Sequence, residues 1–305
     1  MHSRSLPVSH MLLMLAVVAV WGTNFVVIKT TLNHLPPLLF ACLRFVFVFF
    51  PAALFIKRPT TVPWKQLAAY SLLISVGQFG LLYIAVQNHI SPGLASLVVQ
   101  MQVFFTIGLA IWFSGEKVKS YQWLALLVAV AGVLVIAVFT DGSATMLGLM
   151  LVLGAGLSWA GGNTVARHAG KVDMLSYVVW ASAFAVPPLI ALSILYDGLP
   201  AIRQGLASAD LMTWLGVLWQ SFGNTLFGYT AWGWLLARHP AASIAPASLL
   251  VPVFGIGASV ALLGESLPMW KIAACGLIIA GLAFNTLWPR LAKVGTGFAA
   301  NRGQS

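Results

Sequence analysis

Charge is what this chain lacks most. Of its 305 residues only 7% are Asp, Glu, Lys or Arg, and just six are acidic, against about 25% charged in an ordinary soluble domain. A compact chain still needs a polar exterior, so a soluble globule is excluded. Cysteine is nearly missing as well. Cys42 and Cys275 both fall inside apolar runs, which excludes a disulfide framework or a metal cluster and leaves them as small apolar core residues. The sequence also has no P-loop, no Rossmann fingerprint, no zinc spacing and no Gly-x-Ser-x-Gly. The chain therefore reads as neither an enzyme nor a cofactor protein, and not as a pump driven by its own ATP site.

What it has is apolar sequence: 60% of residues and a mean hydropathy of +0.94. In lipid only helices and closed barrels satisfy their backbone groups. A barrel would alternate polarity over strands of about 9–11 residues. The long unbroken runs here read instead as an all-α integral membrane protein. Ten transmembrane helices of about 20 residues each are expected near 11–28, 38–56, 67–86, 94–113, 123–139, 146–166, 175–195, 211–236, 242–263 and 272–288. The first run follows Arg4 but has no Ala-x-Ala site and is followed at once by further spans, so it reads as a helix rather than a signal peptide. The longest connection, 196–210, is read as a loop, and 290–305 as a disordered cytoplasmic tail.

The net charge of +10 reflects loops on one membrane face rather than a nucleic-acid surface. With the N-terminus inside, twelve Lys and Arg fall on the cytoplasmic side and three, Lys29, Arg203 and Lys271, on the other; Arg44 lies within the second span. This bias places both termini of a multi-pass membrane protein of ten helices in the cytoplasm.

The halves resemble each other. Gly115-Glu116 near the end of the fourth span and Gly264-Glu265 near the end of the ninth each follow a proline, Pro92 or Pro240, by 24 or 25 residues. Trp21-Gly22-Thr23-Asn24 in the first span is echoed by Trp159-Ala160-Gly161-Gly162-Asn163 in the sixth. Five helices per unit is odd, so the second unit inserts upside down. Two inverted five-helix repeats around a central cavity are thus expected, 1–140 and 141–289, an arrangement characteristic of secondary transporters.

Polar groups at membrane depth mark the candidate cavity, although such groups also serve simply to join helices. Gln220 and Asn224 stand at i and i+4 in the eighth span, with Ser221, Thr225 and Tyr229 beside them and Trp219 and Trp232 flanking the band. Ser71, Ser75 and Gln78 in the third span, Ser96, Gln100 and Gln102 in the fourth, Trp21 and Asn24 in the first, and Trp159 and Asn163 in the sixth complete the set. Trp180 also sits deep enough to join. Arg44 would either capture a carboxylate or bond helix-end carbonyls, and Lys29 would snorkel to the surface. No acid lies mid-span; Glu116, Glu265 and His89 are the only nearby proton carriers. Pro246 and Pro252 interrupt the ninth span and Pro187-Pro188 the seventh, which suits kinks or gates. Gly257 with Ala261, and Gly276 with Ala280, would allow close helix contact.

Several stretches are similar to the EamA family of the drug/metabolite transporter superfamily: Trp21-Gly22-Thr23-Asn24-Phe25-Val26-Val27-Ile28-Lys29, Leu43-Arg44-Phe45, Gly93 to Gln100, Phe104-Phe105-Thr106-Ile107, Ser158 to Asn163, and Ser248-Leu249-Leu250-Val251-Pro252-Val253. That resemblance implies ten helices in two inverted repeats, and export of small amino-acid-like metabolites such as O-acetylserine or cysteine. Aromatic amino acids, sugars or drugs as cargo, or passive facilitation, are the alternatives it leaves. The expected partners are a small-molecule substrate and the lipid bilayer.

Overall fold

In the computed structural model, residues 6–114, 119–139, 141–170, 172–239 and 241–302 are described, those beyond 288 by backbone alone. Long apolar helices fill this length: α1 Val8–Thr31, α2 Pro37–Leu54, α3 Trp64–Asn88, α4 Pro92–Phe113, α5 Ser120–Val138 and α6 Met146–Arg167. Next comes α7, a bent pair Met174–Ala183 and Val186–Asp197 with a 43° turn between its halves. The bend falls immediately before Pro187-Pro188, where two backbone donors are lost. Then follow α8 (211–238), α9 (241–263) and α10 (Met269–Arg302). No strand is found among the described residues.

Eight of these helices are long and apolar enough to cross a membrane on composition, and α7 makes a ninth when its halves are joined. Helix α8 is the least apolar, because Gln220, Ser221, Asn224 and Thr225 interrupt it. Its continuous helix spans about 40 Å at 1.5 Å per residue, which still exceeds a hydrocarbon core of about 30 Å.

The two-fold relation is visible in the packing. Helix α1 lies against α9 and α8, while α6 lies against α4 and α3; α2 packs on α7, α4 on α9, and α5 on α10. Exchanging each helix for the one five places away maps this list onto itself. Two pairs of local irregularities obey the same exchange, although the π stretch that ends α7 at Ser193–Asp197 has no counterpart in α2. A π-helical stretch widens α3 at Leu72–Gln78 and α8 at Trp219–Phe227. A tight 3-10 stretch interrupts α4 at Val99–Met101 and α9 at Ala245–Leu250.

Three expectations need correction. The connection after α7 is not a plain loop but carries a short helix, Leu199–Ser208. Gly198 enters it at φ 83°, a backbone region in which glycine is unstrained, and Pro200 occupies its first turn, where a missing N–H costs nothing. The tail read as disordered continues α10 as helix to Arg302, since extending a formed helix adds a hydrogen bond per residue without a new nucleus. Close helix contacts do not involve Gly257 or Gly276, around which a Cβ would meet nothing within 4 Å. They occur at Gly22 and Gly255 between α1, α9 and α4, and at Gly132 and Gly281 between α5 and α10.

Candidate substrate cavity

A cavity of about 710 Å³ lies between the repeats. Trp21, Asn24 and Phe25 come from α1, Tyr70, Gln78, Phe79 and Leu82 from α3, and Gln100, Gln102 and Thr106 from α4. Trp159, Asn163 and Arg167 come from α6, Asn224, Tyr229 and Trp232 from α8, Ser248 and Val251 from α9, and Asn285 from α10. The widened turns of α3 and α8 each place one amide here, Gln78 and Asn224; a π turn inserts one extra residue and re-aims the side chains around it. In α8 the Thr225 hydroxyl donates to the Gln220 carbonyl at 2.8 Å, filling that opened turn.

Of the residues singled out in the sequence, Trp21, Asn24, Gln78, Gln100, Gln102, Trp159, Asn163, Asn224, Tyr229 and Trp232 surround this space. Gln220 does not. It is fully buried behind the wall, because its side chain turns toward Arg44. Arg44 is likewise fully buried. Among the described residues it neither meets a carboxylate nor bonds helix-end carbonyls, the two roles expected of it. Its Nε and Nη2 donate to Thr225 Oγ1 at 2.9 and 2.7 Å, and its Nη1 to Tyr83 OH at 2.9 Å and Gln220 Oε1 at 3.0 Å. The guanidinium also lies 3.7 Å over the Phe79 ring, a cation–π contact that strengthens on desolvation. Gln220 Nε2 in turn donates to Asn24 Oδ1.

Other expectations fail in instructive ways. Trp180 is not at the cavity; its indole donates to the Ile56 carbonyl at 2.9 Å and its ring packs on Phe49 and Trp64. Trp219 faces outward, 41% exposed, since the helical spacing that brings Trp232 inward turns Trp219 to the other side. Ser71 and Ser75 are buried beside Gln78 but do not reach the space. The sequence reading missed Tyr70, Phe79, Thr106, Gln122, Arg167, Ser248 and Asn285. Thr106 had a legible signal, one turn beyond Gln102 in α4.

The cavity runs toward the ends of the helices that carry Gln122, Arg167, Met174 and Leu236. At the opposite end the helices are tied together. Glu265, after α9, accepts hydrogen bonds from the Ser91 hydroxyl and from Gly93 N (3.1 Å) in the first turn of α4. A carboxylate there meets the positive end of the helix dipole. Buried Lys271 lies 3.8 Å from Glu265 and 3.6 Å from Asp141, the only ion pairs among the described residues. Partial burial raises the Asp141 pKa, but hydrogen bonds from Ser143 and the charge of Lys271 outweigh it and hold the carboxyl below its usual range. Lys29 does not snorkel; its Nζ bonds the Val86 and Gln87 carbonyls at 3.3 and 2.6 Å, capping the end of α3. Pro246 lies in the 3-10 stretch of α9, and Pro252 in the first turn of the helix that follows it. Glu116 lies outside the described residues.

The sequence profile of the EamA-like transporter family matches residues 8–138 and 146–287. A protein of Salmonella typhimurium named probable amino-acid metabolite efflux pump is 42% identical over 92% of this chain and 96% of its own length. A protein of Escherichia coli K12 with the same name is 39% identical over 93% of this chain and 98% of its own. One solved crystal structure shares the fold with a TM-score of 0.64 at 18% identity, over 93% of this chain and 98% of that one.

Proposed function

From the premise that this chain belongs to the EamA-like transporter family, we propose that it is a secondary-active exporter of small amino-acid-like metabolites, O-acetylserine and cysteine among them. It works by alternating access in a bacterial inner membrane, with both termini in the cytoplasm. One observation carries the reading: a cavity between inverted repeats, open toward the end rich in Lys and Arg and tied shut at the other. At about 710 Å³ it falls within the roughly 300–1,000 Å³ of small-molecule sites.

Apart from Arg167 at its mouth the wall carries no charged side chain; aliphatic and aromatic side chains make up most of it, with Asn, Gln, Thr, Ser and Tyr set among them. A zwitterion needs donors for its carboxylate and acceptors or ring faces for its ammonium. Asn and Gln supply both, and Gln78 Oε1 and Asn285 Oδ1 are buried acceptors with no protein partner among the described residues. In this reading Trp21, Asn24, Gln78, Gln100, Gln102, Trp159, Asn163, Asn224 and Tyr229 contact cargo. The tie at Glu265 and Lys29 is the outer gate, and Glu116, at the matching sequence position in the first repeat, serves the inner one. The names of the Salmonella and E. coli relatives support amino-acid metabolites as the cargo class. Aromatic amino acids are the second reading, favoured by the rings of Trp21, Tyr70, Phe79, Trp159, Tyr229 and Trp232 in the wall.

The test is efflux from cells stripped of their own exporters and loaded with dipeptides. Expression of the chain should raise external cysteine or O-acetylserine several-fold. Unchanged efflux with the protein present in the membrane overturns the assignment, and release of aromatic amino acids instead moves it to the second reading.

A further inference from the structure

Arg44 has no acidic partner among the described residues, yet it sits fully buried one layer behind the cavity. Its hydrogen bonds have a direction. A guanidinium only donates, so the group facing Arg44 Nη1 at 3.0 Å must be the oxygen of Gln220. Tyr83 OH donates to the same oxygen at 3.2 Å. The Gln220 NH2 is therefore turned away from Arg44, and it donates to Asn24 Oδ1. With its oxygen engaged, Asn24 keeps its own NH2, for which no protein partner is found among the described residues, and Asn24 lines the cavity. The chain of amides runs donor to acceptor from a fixed positive charge to the cavity wall and ends on a donor.

We propose that Arg44 is a positioning residue for substrate specificity: through Gln220 it locks Asn24 with its N–H groups toward the cavity, so that this wall selects solutes bearing a carboxylate. The inference deepens the exporter reading and rests on it for the substrate's second group, the ammonium. It does not rest on it for the carboxylate. The buried charge strengthens the preference, since a positive charge held in a low-dielectric interior favours an anion nearby. Turning the Gln220 amide over would set its oxygen against Asn24 Oδ1 and its NH2 against Arg44, and turning Asn24 over would set NH2 against NH2, so Arg44 and Gln220 together hold the orientation. Neighbouring Asn224 donates weakly to Gln220 Oε1 at 3.5 Å, and its own oxygen has no protein partner among the described residues, on the wall that Asn24 also lines. A donor and an acceptor thus stand on the same wall, as the two ends of a zwitterion require.

The experiment uses the full chain and matched ligands: cysteine and O-acetylserine, their methyl esters, the corresponding amines without the carboxylate, and the carboxylates without the amine. Thermal protection in detergent and competition for transport in proteoliposomes are both read. Wild-type protein is expected to prefer each acid over its ester at least tenfold. Gln220→Glu keeps an acceptor for Arg44 but removes the donor to Asn24, and Asn24→Asp replaces the donor facing the cavity; each should cut the acid-to-ester ratio about tenfold or more. Arg44→Met should do the same, and the two milder variants keep the test alive where it does not fold. A wild type that accepts esters as well as acids, that is protected by none of the carboxylates, or whose acid-to-ester ratio is unchanged in folded Gln220→Glu and Asn24→Asp overturns the proposal. Selection of carboxylates that lack an amine, with amino acids refused, overturns the amino-acid reading while leaving this one standing.

Discussion

Neutralising Glu265 should open the outer face. In Glu265→Gln the side chain keeps one oxygen able to accept from Ser91 or Gly93 N, but loses the second acceptor and the charge. The lost acceptor is a hydrogen bond to a charged group, about 1.5–3 kcal/mol when intact. The carboxylate at the start of α4 adds about 0.3–1 kcal/mol through the helix dipole. The 3.8 Å contact with Lys271 adds at most about 1 kcal/mol, because Asp141 is a third exposed and stays as an alternative partner. Part of each term is recovered by the glutamine and by water, so a net of about 2 kcal/mol is expected, or roughly a 30-fold shift toward outward-open molecules. A single cysteine at Val103 in the cavity wall, in a background lacking Cys42 and Cys275, reports that shift. An impermeant maleimide applied outside intact cells should label it roughly 30-fold faster when Glu265→Gln is added. An unchanged rate in folded Glu265→Gln protein would refute the gate.

Further outcomes follow from the same geometry. Gly22→Ala places a methyl group 2.5 Å from Phe254 Cβ and the Val251 carbonyl and should lower stability in detergent by about 1–3 kcal/mol, whereas Gly257→Ala, with open space around it, should melt with wild type. The depressed pKa of Asp141 means its contribution is complete above the ordinary value of 3.8 and is lost only as pH falls through the lower folded value. Asp141→Asn should therefore lower the melting temperature equally from pH 8 to 5, with the difference closing only below about pH 4. Lys29→Met uncaps two carbonyls of α3 and should cost about 1–3 kcal/mol, read as lower thermal stability and faster outside labelling of the same Val103 cysteine.

Much of this was legible because lipid leaves the backbone few options. Unbroken apolar runs became helices whose ends moved by only a few residues, apart from the C-terminal end of α10, and the repeated Trp-to-Asn pairs both line the cavity between the helices that the five-helix exchange relates. Amides in α1, α3, α4, α6 and α8 reached the cavity because a polar face in a membrane helix turns away from lipid. What stayed hidden depends on rotation and neighbours. Gln220 and Asn224 share a face by spacing, yet only Asn224 meets the cavity, because the π turn of α8 and the pull of Arg44 draw Gln220 behind the wall. Trp180 is deep in sequence but anchored by the Ile56 carbonyl, a contact made by a loop 124 residues away. The helix at Leu199–Ser208 did have a sequence signal, glycine then proline at its start, masked by the small and polar residues around it.

The most direct test of the account is transport by the purified chain in proteoliposomes, with radiolabelled cysteine and O-acetylserine, with and without a pH gradient, and with Asn224→Ala alongside. The account predicts saturable uptake that rises with the gradient, exchanges with unlabelled substrate on the far side, and falls at least tenfold in Asn224→Ala. Absence of flux from folded protein, or flux linear in concentration and indifferent to Asn224→Ala, would contradict it.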